Sequence, residues 1–587
     1  MNKSSLKLDK ILRINLTNGK IKTEPMDKDA LLFMGGKGLA CFYLLKEQGP
    51  QIDPFSPNNK LIFAWGPLMA LAPATSRFVV VTKSPLTGTF LDSYCGGVFP
   101  AKLRFSLPRY AAIIFEGKAK ELTYLKIENG NVELKDAKDL SGKSVSDLYD
   151  KFGKDFEIAG IGIAGEKRVR YATISCDRGT HHAGRGGAGA VMGSKNLKCI
   201  VARGEPPALP EKVKELRIKY VRKLRESPGT QWAIQSGTAG TLSDSHKAGI
   251  MPTKGWKMGR FEGYENIDPG KIQKATKRRV ACYNCPLACG YSLELKGKFD
   301  VKTLKGPEYE TIVMLGPNLG INDLSSIAKL DKLCGAFGID TISTGNILGW
   351  LMRCSEEGII DYDIEFGNVE KSIEVVENIA YRKDELGNVL ADGIKRAVSV
   401  YGGGELAAEC KGMDYPGYDP RGSVGMALAY ATSDRGACHK RSWVVAPTTF
   451  WGELQWDFET QSSIVKKDQD DNSLLWSLVI CDFASPVYLE DLGKEWLKAL
   501  GYDYTVDQLK SLGERIWNMV RWFNIREGFD RKDDYLPEIM TKPLGGDGPA
   551  KGKNITRKDF EKMLDSYYEL RGWDKNGRPK KGGTVGN

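Results

Sequence analysis

The stretches Ile11-Leu12-Arg13-Ile14-Asn15-Leu16-Thr17-Asn18-Gly19 and Tyr124-Leu125-Lys126-Ile127-Glu128-Asn129-Gly130-Asn131-Val132-Glu133-Leu134 share one pattern. Apolar and polar residues alternate with the two-residue period of a strand around an Asn-Gly pair, the signal of a type I′ hairpin. The two hairpins head two similar segments, so residues 1–205 read as a β-rich domain of two pseudo-repeated sheets. After the break Gly204-Glu205-Pro206-Pro207 the pattern turns helical, at Val213 to Arg225 and Leu324 to Phe337. In the second of these, Leu324, Ile327, Leu330, Leu333, Cys334 and Phe337 mark one face at three- and four-residue steps. A further boundary falls near Gly412 to Tyr418, followed by helix candidates at Leu509 to Phe523 and at Phe560 to Leu570. The last is opened by Thr556-x-x-Asp559, similar to a capping box. The expected fold class is α+β, with a β-rich domain at 1–205 and two mainly α-helical domains at 206–412 and 413–587.

Composition narrows the function. The chain has 587 residues, 41% apolar and 27% charged, with a net charge of +11, which excludes a disordered chain or a small disulfide scaffold. The longest apolar run, Leu61 to Ala74, is about 14 residues and is broken by Gly66, Pro67 and Pro73, so no membrane span is expected. The N-terminus lacks a hydrophobic signal region, which points to the cytoplasm, where the 12 Cys stay reduced and free to bind metal. Only 4 His exist, His181, His182, His246 and His439, too few for the usual zinc sites. The basic tail from Lys575 to Lys581, with Arg578 and Lys580, reads as a solvated surface, and no nucleic-acid partner is expected.

The sharpest local motif is Cys282-Tyr283-Asn284-Cys285-Pro286-Leu287-Ala288-Cys289, thiols at CxxCxxxC spacing followed by Gly290. A compact loop of this kind wraps three sulphurs around one face of a cubane, so a 4Fe-4S cluster is the natural occupant. The fourth ligand is not fixed by spacing, because Cys334, Cys354, Cys410, Cys438 and Cys481 all lie downstream. A second motif, residues 181–198, combines Gly184, Gly186, Gly187, Gly189 and Gly193 with Arg185, Lys195 and Lys198. Glycines let main-chain N–H groups reach an anion while the cations hold its charge, although the Walker spacing is absent. Upstream, Pro73-Ala74-Thr75-Ser76-Arg77-Phe78 leads into a strand at Val79 to Val81, and Ser93-Tyr94-Cys95-Gly96-Gly97 reads locally as an ordinary turn.

Together these segments resemble the aldehyde ferredoxin oxidoreductase family of tungsten enzymes. The resemblance runs from the first hairpin through GPLMALAPATSRFVVVTKSPLTG, AGRGGAGAVMGSKNLK, CYNCPLACG, GPEYET and GIDTISTG to YDPRG, DRGACHKR and YYELRGW. It implies a tungsten bis-pterin cofactor, with molybdenum as the alternative metal, a 4Fe-4S cluster, and magnesium bridging the pterin phosphates. By position, the family's cluster ligands fall on Cys282, Cys285, Cys289 and Cys481, and Arg77 matches the arginine between cluster and pterin. Pterin and magnesium contacts fall on Tyr94, Gly96, Ala183, Gly184 and Gly186, with Arg185, Asp340 and Ile480 beside them. Glu310, preceded by Tyr309, matches the family's active-site glutamate, and His439 its active-site histidine.

Two departures stand out. The family's Asp-x-x-Gly-Leu-Asp/Cys runs are here Gly335-Ala336-Phe337-Gly338-Ile339-Asp340 and Trp476-Ser477-Leu478-Val479-Ile480-Cys481, without either leading aspartate. No Glu-x-x-His pair occurs, so the bridging iron site of some members is not expected. The resemblance implies oxidation of an aldehyde to a carboxylate, with electrons leaving through the cluster to ferredoxin or a dedicated iron-sulphur subunit. A homodimer or a place in a hetero-oligomer is expected. The alternatives are a related tungsten enzyme reducing a carboxylate or an aromatic thioester, and a non-catalytic iron-sulphur electron-transfer subunit.

Overall fold

The computed structural model describes residues 6–580; the first five and last seven residues, among them Lys581 of the basic tail, lie outside it. The N-terminal part contains two six-stranded sheets. The first is built from β1 (Lys10–Asn15), β2 (Lys20–Pro25), β3 (Leu61–Ala64), β4 (Phe78–Lys83), β5 (Phe90–Cys95) and β6 (Tyr110–Glu116), in the order β2-β1-β6-β3-β4-β5. The second uses β7 (Thr123–Glu128), β8 (Asn131–Asp136), β9 (Glu157–Gly160), β10 (Ile174–Cys176), β11 (His181–Ala183) and β12 (Leu197–Arg203), in the order β8-β7-β12-β9-β10-β11.

Replacing β1–β6 by β7–β12 turns one order into the other. In each sheet the first and last strands pair in parallel and all other neighbours are antiparallel. Both parallel pairs also begin with a register shift, at Lys10/Ile11 and at Leu197/Cys199. The pseudo-repeat expected from the two hairpins is therefore present throughout the domain.

The hairpins themselves differ. Asn129 and Gly130 both have positive φ, 49° and 90°, as a two-residue type I′ turn requires. Around Asn18-Gly19 only Gly19 does, at 71°, and Asn15 pairs with Lys20 across a longer loop. There the Asn15 side chain accepts from the N–H groups of Thr17 and Asn18 at 3.0 and 3.3 Å, which holds Asn18 out of the left-handed region.

The strands β3 and β4 are buried on both faces, which fits their unbroken Leu-Ile-Phe-Ala and Phe-Val-Val-Val runs. Their core is shared with the end of the chain: helix Gly36–Glu47 packs on Gln461–Leu478, which packs on Val506–Arg526. The expected helices at 213–225, 324–337, 509–523 and 560–570 are observed as Glu211–Glu226, Leu324–Phe337, Val506–Arg526 and Arg557–Leu570. Thr556 caps the last by accepting from Asp559 N–H at 3.1 Å, but the reciprocal bond of a full capping box is not made. Among the described residues no helix is long and apolar enough to cross a membrane.

Candidate active site

The pseudo-repeat places two equivalent loops face to face. Strand β5 ends at Cys95 and is followed by Gly96; β11 ends at Ala183 and is followed by Gly184. The two strands touch, with Cys95 Sγ and Cys176 Sγ 3.0 Å apart beneath them. Ser93–Cys95, which in isolation suggests a turn, are the last residues of β5, because cross-strand pairing with Phe78–Val80 holds them extended. Gly96 and Gly184 border one cavity of about 1150 Å³ that also collects Arg77, Glu310, His439 and the clustered cysteines.

Four thiols from two distant segments line this cavity: Cys282, Cys285 and Cys289 from the CxxCxxxC loop, and Cys481 just beyond helix Gln461–Leu478. Cys481 N–H donates to Ala74 O at 3.0 Å, which ties it to the segment that carries Arg77. Arg77 Nη2 donates to Cys481 Sγ at 3.1 Å. Burial works against the Arg77 charge, but the neighbouring Cys481, Asp482, Cys282 and Cys289 raise its pKa overall. Burial also raises all four thiols, Cys285 to about 12. A fifth feature escaped the sequence: His181 Nε2 lies 3.6 Å from Cys282 Sγ. Among the described residues no three His, Cys, Asp or Glu side chains converge closely enough for a single metal ion. Four soft sulphurs at wider spacing suit a polynuclear group instead.

The two runs that depart from the family pattern have one backbone design. Leu324–Phe337 ends at left-handed Gly338 (φ 76°), and Gln461–Leu478 ends at left-handed Val479 (φ 57°). Each is followed by Ile and then by a site residue, Asp340 or Cys481. Gly335 and Trp476, which stand where the leading aspartates are missing, both border the cavity. A Cβ at Gly335 would meet only Gly179 O at 3.5 Å and the His182 ring at 3.8 Å or beyond, so this side is open. The other side is filled: Trp476 lies 5.1 Å from the Tyr94 ring, and the Arg441 guanidinium sits 4.5 Å above it.

Arg441 belongs to a buried charge cluster with Lys37, Asp92 and Asp434, all within 5% exposure. Tyr94 OH donates to Asp92 Oδ2 at 2.7 Å. Burial opposes ionisation of Asp434, yet Arg441 and Lys37 hold its carboxyl well below the usual range. Asp340 caps helix Thr341–Glu356 by accepting from Ile342 and Ser343 N–H at 3.1 and 3.3 Å, and Arg185 Nε donates to it at 3.2 Å. Arg185 also donates to Ala437 O and Asp414 O, so it ties the glycine loop to both later segments. Ile480 borders the cavity, whereas Ala183 and Gly186 lie behind its wall.

At the far wall, Glu310 Oε1 faces His439 Nδ1 at 3.2 Å, off the line a hydrogen bond needs, so both atoms lack a partner. Glu310 Oε2 accepts from Gly417 N–H at 2.7 Å. Burial pushes the Glu310 carboxyl up to about 7. Burial, followed by Lys440, Arg185, Arg435 and Arg441, holds His439 well below its ordinary value. His439 is thus a free imidazole near neutrality, whereas Glu310 passes from acid to carboxylate there. Tyr309 stacks on Tyr418 with ring centroids 4.7 Å apart, and its hydroxyl donates to Gly417 O at 2.6 Å. It steadies the segment that holds Glu310. Buried Arg435 Nε and Arg441 Nη1 also lack partners. These unpaired donors, the glycine-bordered wall and the four thiols fit a large anionic cofactor beside a sulphur-ligated cluster.

Comparison with known proteins agrees. The family model for the N-terminal domain of aldehyde ferredoxin oxidoreductase matches residues 11–204, and that for its domains 2 and 3 matches residues 215–583. Tungsten-containing aldehyde ferredoxin oxidoreductase of Pyrococcus abyssi is 38% identical over 97% of this chain and 96% of its own length. The aliphatic sulfonate oxidoreductase WOR-like subunit of Pyrococcus furiosus is 31% identical over 97% and 95%. Among solved structures, the active-site complex BamBC of benzoyl coenzyme A reductase, in complex with 1,5-dienoyl-CoA, superposes with a TM-score of 0.83 at 25% identity, covering 98% and 97%. Carrying both halves of the family's signature across almost its whole length, the chain belongs to the aldehyde ferredoxin oxidoreductase family.

Proposed function

We propose that this protein oxidises an aldehyde to a carboxylate, RCHO + H2O → RCOOH + 2H⁺ + 2e⁻, and delivers the electrons through a 4Fe-4S cluster to a ferredoxin or a dedicated iron-sulphur subunit. The supporting observation is that one cavity joins the Glu310–His439 pair to the thiol quartet, with Arg77 reaching Cys481. Cys282, Cys285, Cys289 and Cys481 would hold the cluster. The Gly96 and Ala183–Gly186 loops would frame the two pterins and a magnesium between their phosphates. Tyr94, Arg185, Asp340 and Ile480 would support them, and the unpaired N–H groups of Arg435 and Arg441 would receive the cofactor's anionic edges. When bound, the tungsten centre, or molybdenum in its place, supplies two-electron redox and Lewis-acid chemistry.

The chain's own residues handle protons and position. Above about pH 7 the Glu310 carboxylate can take a proton from the attacking water, and Gly417 N–H fixes its second oxygen. His439, kept neutral, can donate one ring N–H toward the carbonyl oxygen while its Nδ1 faces Glu310. Arg77 spans the gap toward the cluster as a delocalised donor. Aldehyde-dependent viologen reduction by anaerobically purified protein, with tungsten and iron analysis, tests this reading. Fully loaded protein inert toward every aldehyde would defeat it, and iron without tungsten, molybdenum or pterin would leave only an electron-transfer subunit.

The likeness to benzoyl coenzyme A reductase favours, as a second reading, reduction of an aromatic thioester at the same site. A cytoplasmic enzyme working as a homodimer or within a hetero-oligomer is compatible with either.

A further inference from the structure

From His439 an unbroken line of aromatic rings leads to the surface. The Tyr418 ring is 5.9 Å from His439, Trp443 is 6.2 Å from Tyr418, and Trp451 stands at 90° to Trp443 at 6.5 Å. Trp232 flanks Trp443 at 5.9 Å and carries Phe483 at 4.9 Å, while Phe450 closes on both Tyr418 and Trp443 at 6.3 and 6.2 Å. All these separations lie in the range of favourable aromatic pairing. Trp232, Tyr418, Trp443, Trp451 and Phe483 border the same cavity as Glu310 and His439.

Two features mark this wall as built for a guest. Trp451 is 64% exposed, the most exposed aromatic ring among the described large hydrophobics, and it also borders the cavity. It follows a π-helical turn, Ala446–Phe450, a rare conformation concentrated at functional sites, which sets Trp451 on the cavity and packs Phe450 against Trp443. Lys467, which also borders the cavity, is paired with Asp471 at 2.6 Å.

We propose that the aromatic line is the substrate's binding channel and that the substrate is an aryl carbonyl compound, with its ring held against Trp443 and Trp451 and its carbonyl directed at Glu310 and His439. This deepens the functional reading above and rests on Glu310 and His439 facing the reacting carbon. Against these rings a flat aryl group gains stacking and burial that a short alkyl aldehyde cannot match.

The test uses the cofactor-loaded protein and two readouts. Isothermal titration compares benzoate with acetate, as product analogues, on the parent, Trp443→Leu and Trp451→Ala. Viologen reduction compares kcat/KM for benzaldehyde with that for acetaldehyde on the same samples. The expected result is benzoate at least tenfold tighter than acetate, an advantage cut about tenfold by Trp443→Leu and severalfold by Trp451→Ala, with the kcat/KM ratio falling in step. Trp451 is exposed, so its variant keeps the test open if Trp443→Leu does not fold. Equal binding of benzoate and acetate to the parent, or an unchanged preference in both variants, overturns the proposal. Selective benzoate binding lost in the variants, without turnover of any aldehyde, supports the channel and overturns only aldehyde oxidation.

Discussion

Arg77 Nη2 donates to Cys481 Sγ at 3.1 Å across 404 residues of sequence. The bond joins the loop before β4 to the turn after helix Gln461–Leu478, the two elements that meet at the cavity. It sets the electrostatics of the thiol that sequence spacing alone could not choose. A guanidinium at a cluster sulphur stabilises the more negative, reduced state and so raises the reduction potential.

Arg77→Met should therefore lower the cluster potential by tens of millivolts and slow electron delivery about 10- to 100-fold. Redox-titrated electron paramagnetic resonance measures the first and viologen reduction the second. Arg77→Lys keeps the charge but loses the planar fork, and should recover the potential in part. An unshifted potential in Arg77→Met would show that the contact is structural only.

Activity should rise with pH through about 7, as Glu310 loses its proton and becomes a competent base. Glu310→Gln should reduce kcat about 10²- to 10⁴-fold and abolish that limb while iron and pterin contents stay intact. His439→Asn keeps a donor without a titrating ring and should leave the limb in place at a lower rate. A pH profile of Glu310→Gln that still inflects near 7 would assign the base elsewhere.

The same carboxyl should leave a mark on stability. Its pKa rises from 4.5 in the unfolded chain to about 7 in the fold, so between these values the folded protein keeps a proton that the unfolded chain has released. Stability from this group is complete below pH 4.5 and falls as pH climbs toward 7. Glu310→Gln removes the dependence, so the variant should gain on the parent by about 3 kcal/mol between pH 4 and pH 8. Denaturation midpoints measured across that range test it, and parallel curves would refute it. A catalytic role for Glu310 would make this loss the usual exchange of stability for function.

What was legible in the sequence was local. The CxxCxxxC loop carries three donors within one turn of chain, and the hairpin pair carries its own period. Those signals need no partner from elsewhere. Trp476 shows the opposite case: its neighbours Tyr94 and Arg441 come from strand β5 and from the DRGACHKR segment. Arg441 in turn reaches Asp92 across 349 residues. Within that segment, dense in Arg and Lys, Arg435 and Arg441 are buried and border the cavity. The bond from Arg185 to Asp340 was equally invisible, since the capping role of Asp340 depends on where helix Thr341–Glu356 begins. The contact of the Tyr309 hydroxyl with Gly417 O, on the residue whose N–H holds Glu310, likewise spans 108 residues.

Two glycines three residues apart separate folding from cofactor binding. Gly187 has a φ of 85°, and a Cβ there would sit 2.0 Å from Arg170 O, a backbone atom that cannot yield. Gly187→Ala should cost about 2–4 kcal/mol and lower the thermal midpoint whether or not cofactor is present. Gly184 has no such strain, and a Cβ there would meet only His182 Cβ at 3.8 Å. Its open side borders the cavity, so Gly184→Ala should fold with a near-parental midpoint in the cofactor-free state. It should carry markedly less pterin and tungsten, because the added methyl occupies space that the glycine leaves for the ligand. Pterin content by fluorescence after oxidation, set beside the midpoints, distinguishes the two effects. Full cofactor loading in Gly184→Ala would remove this loop from the cofactor-binding surface.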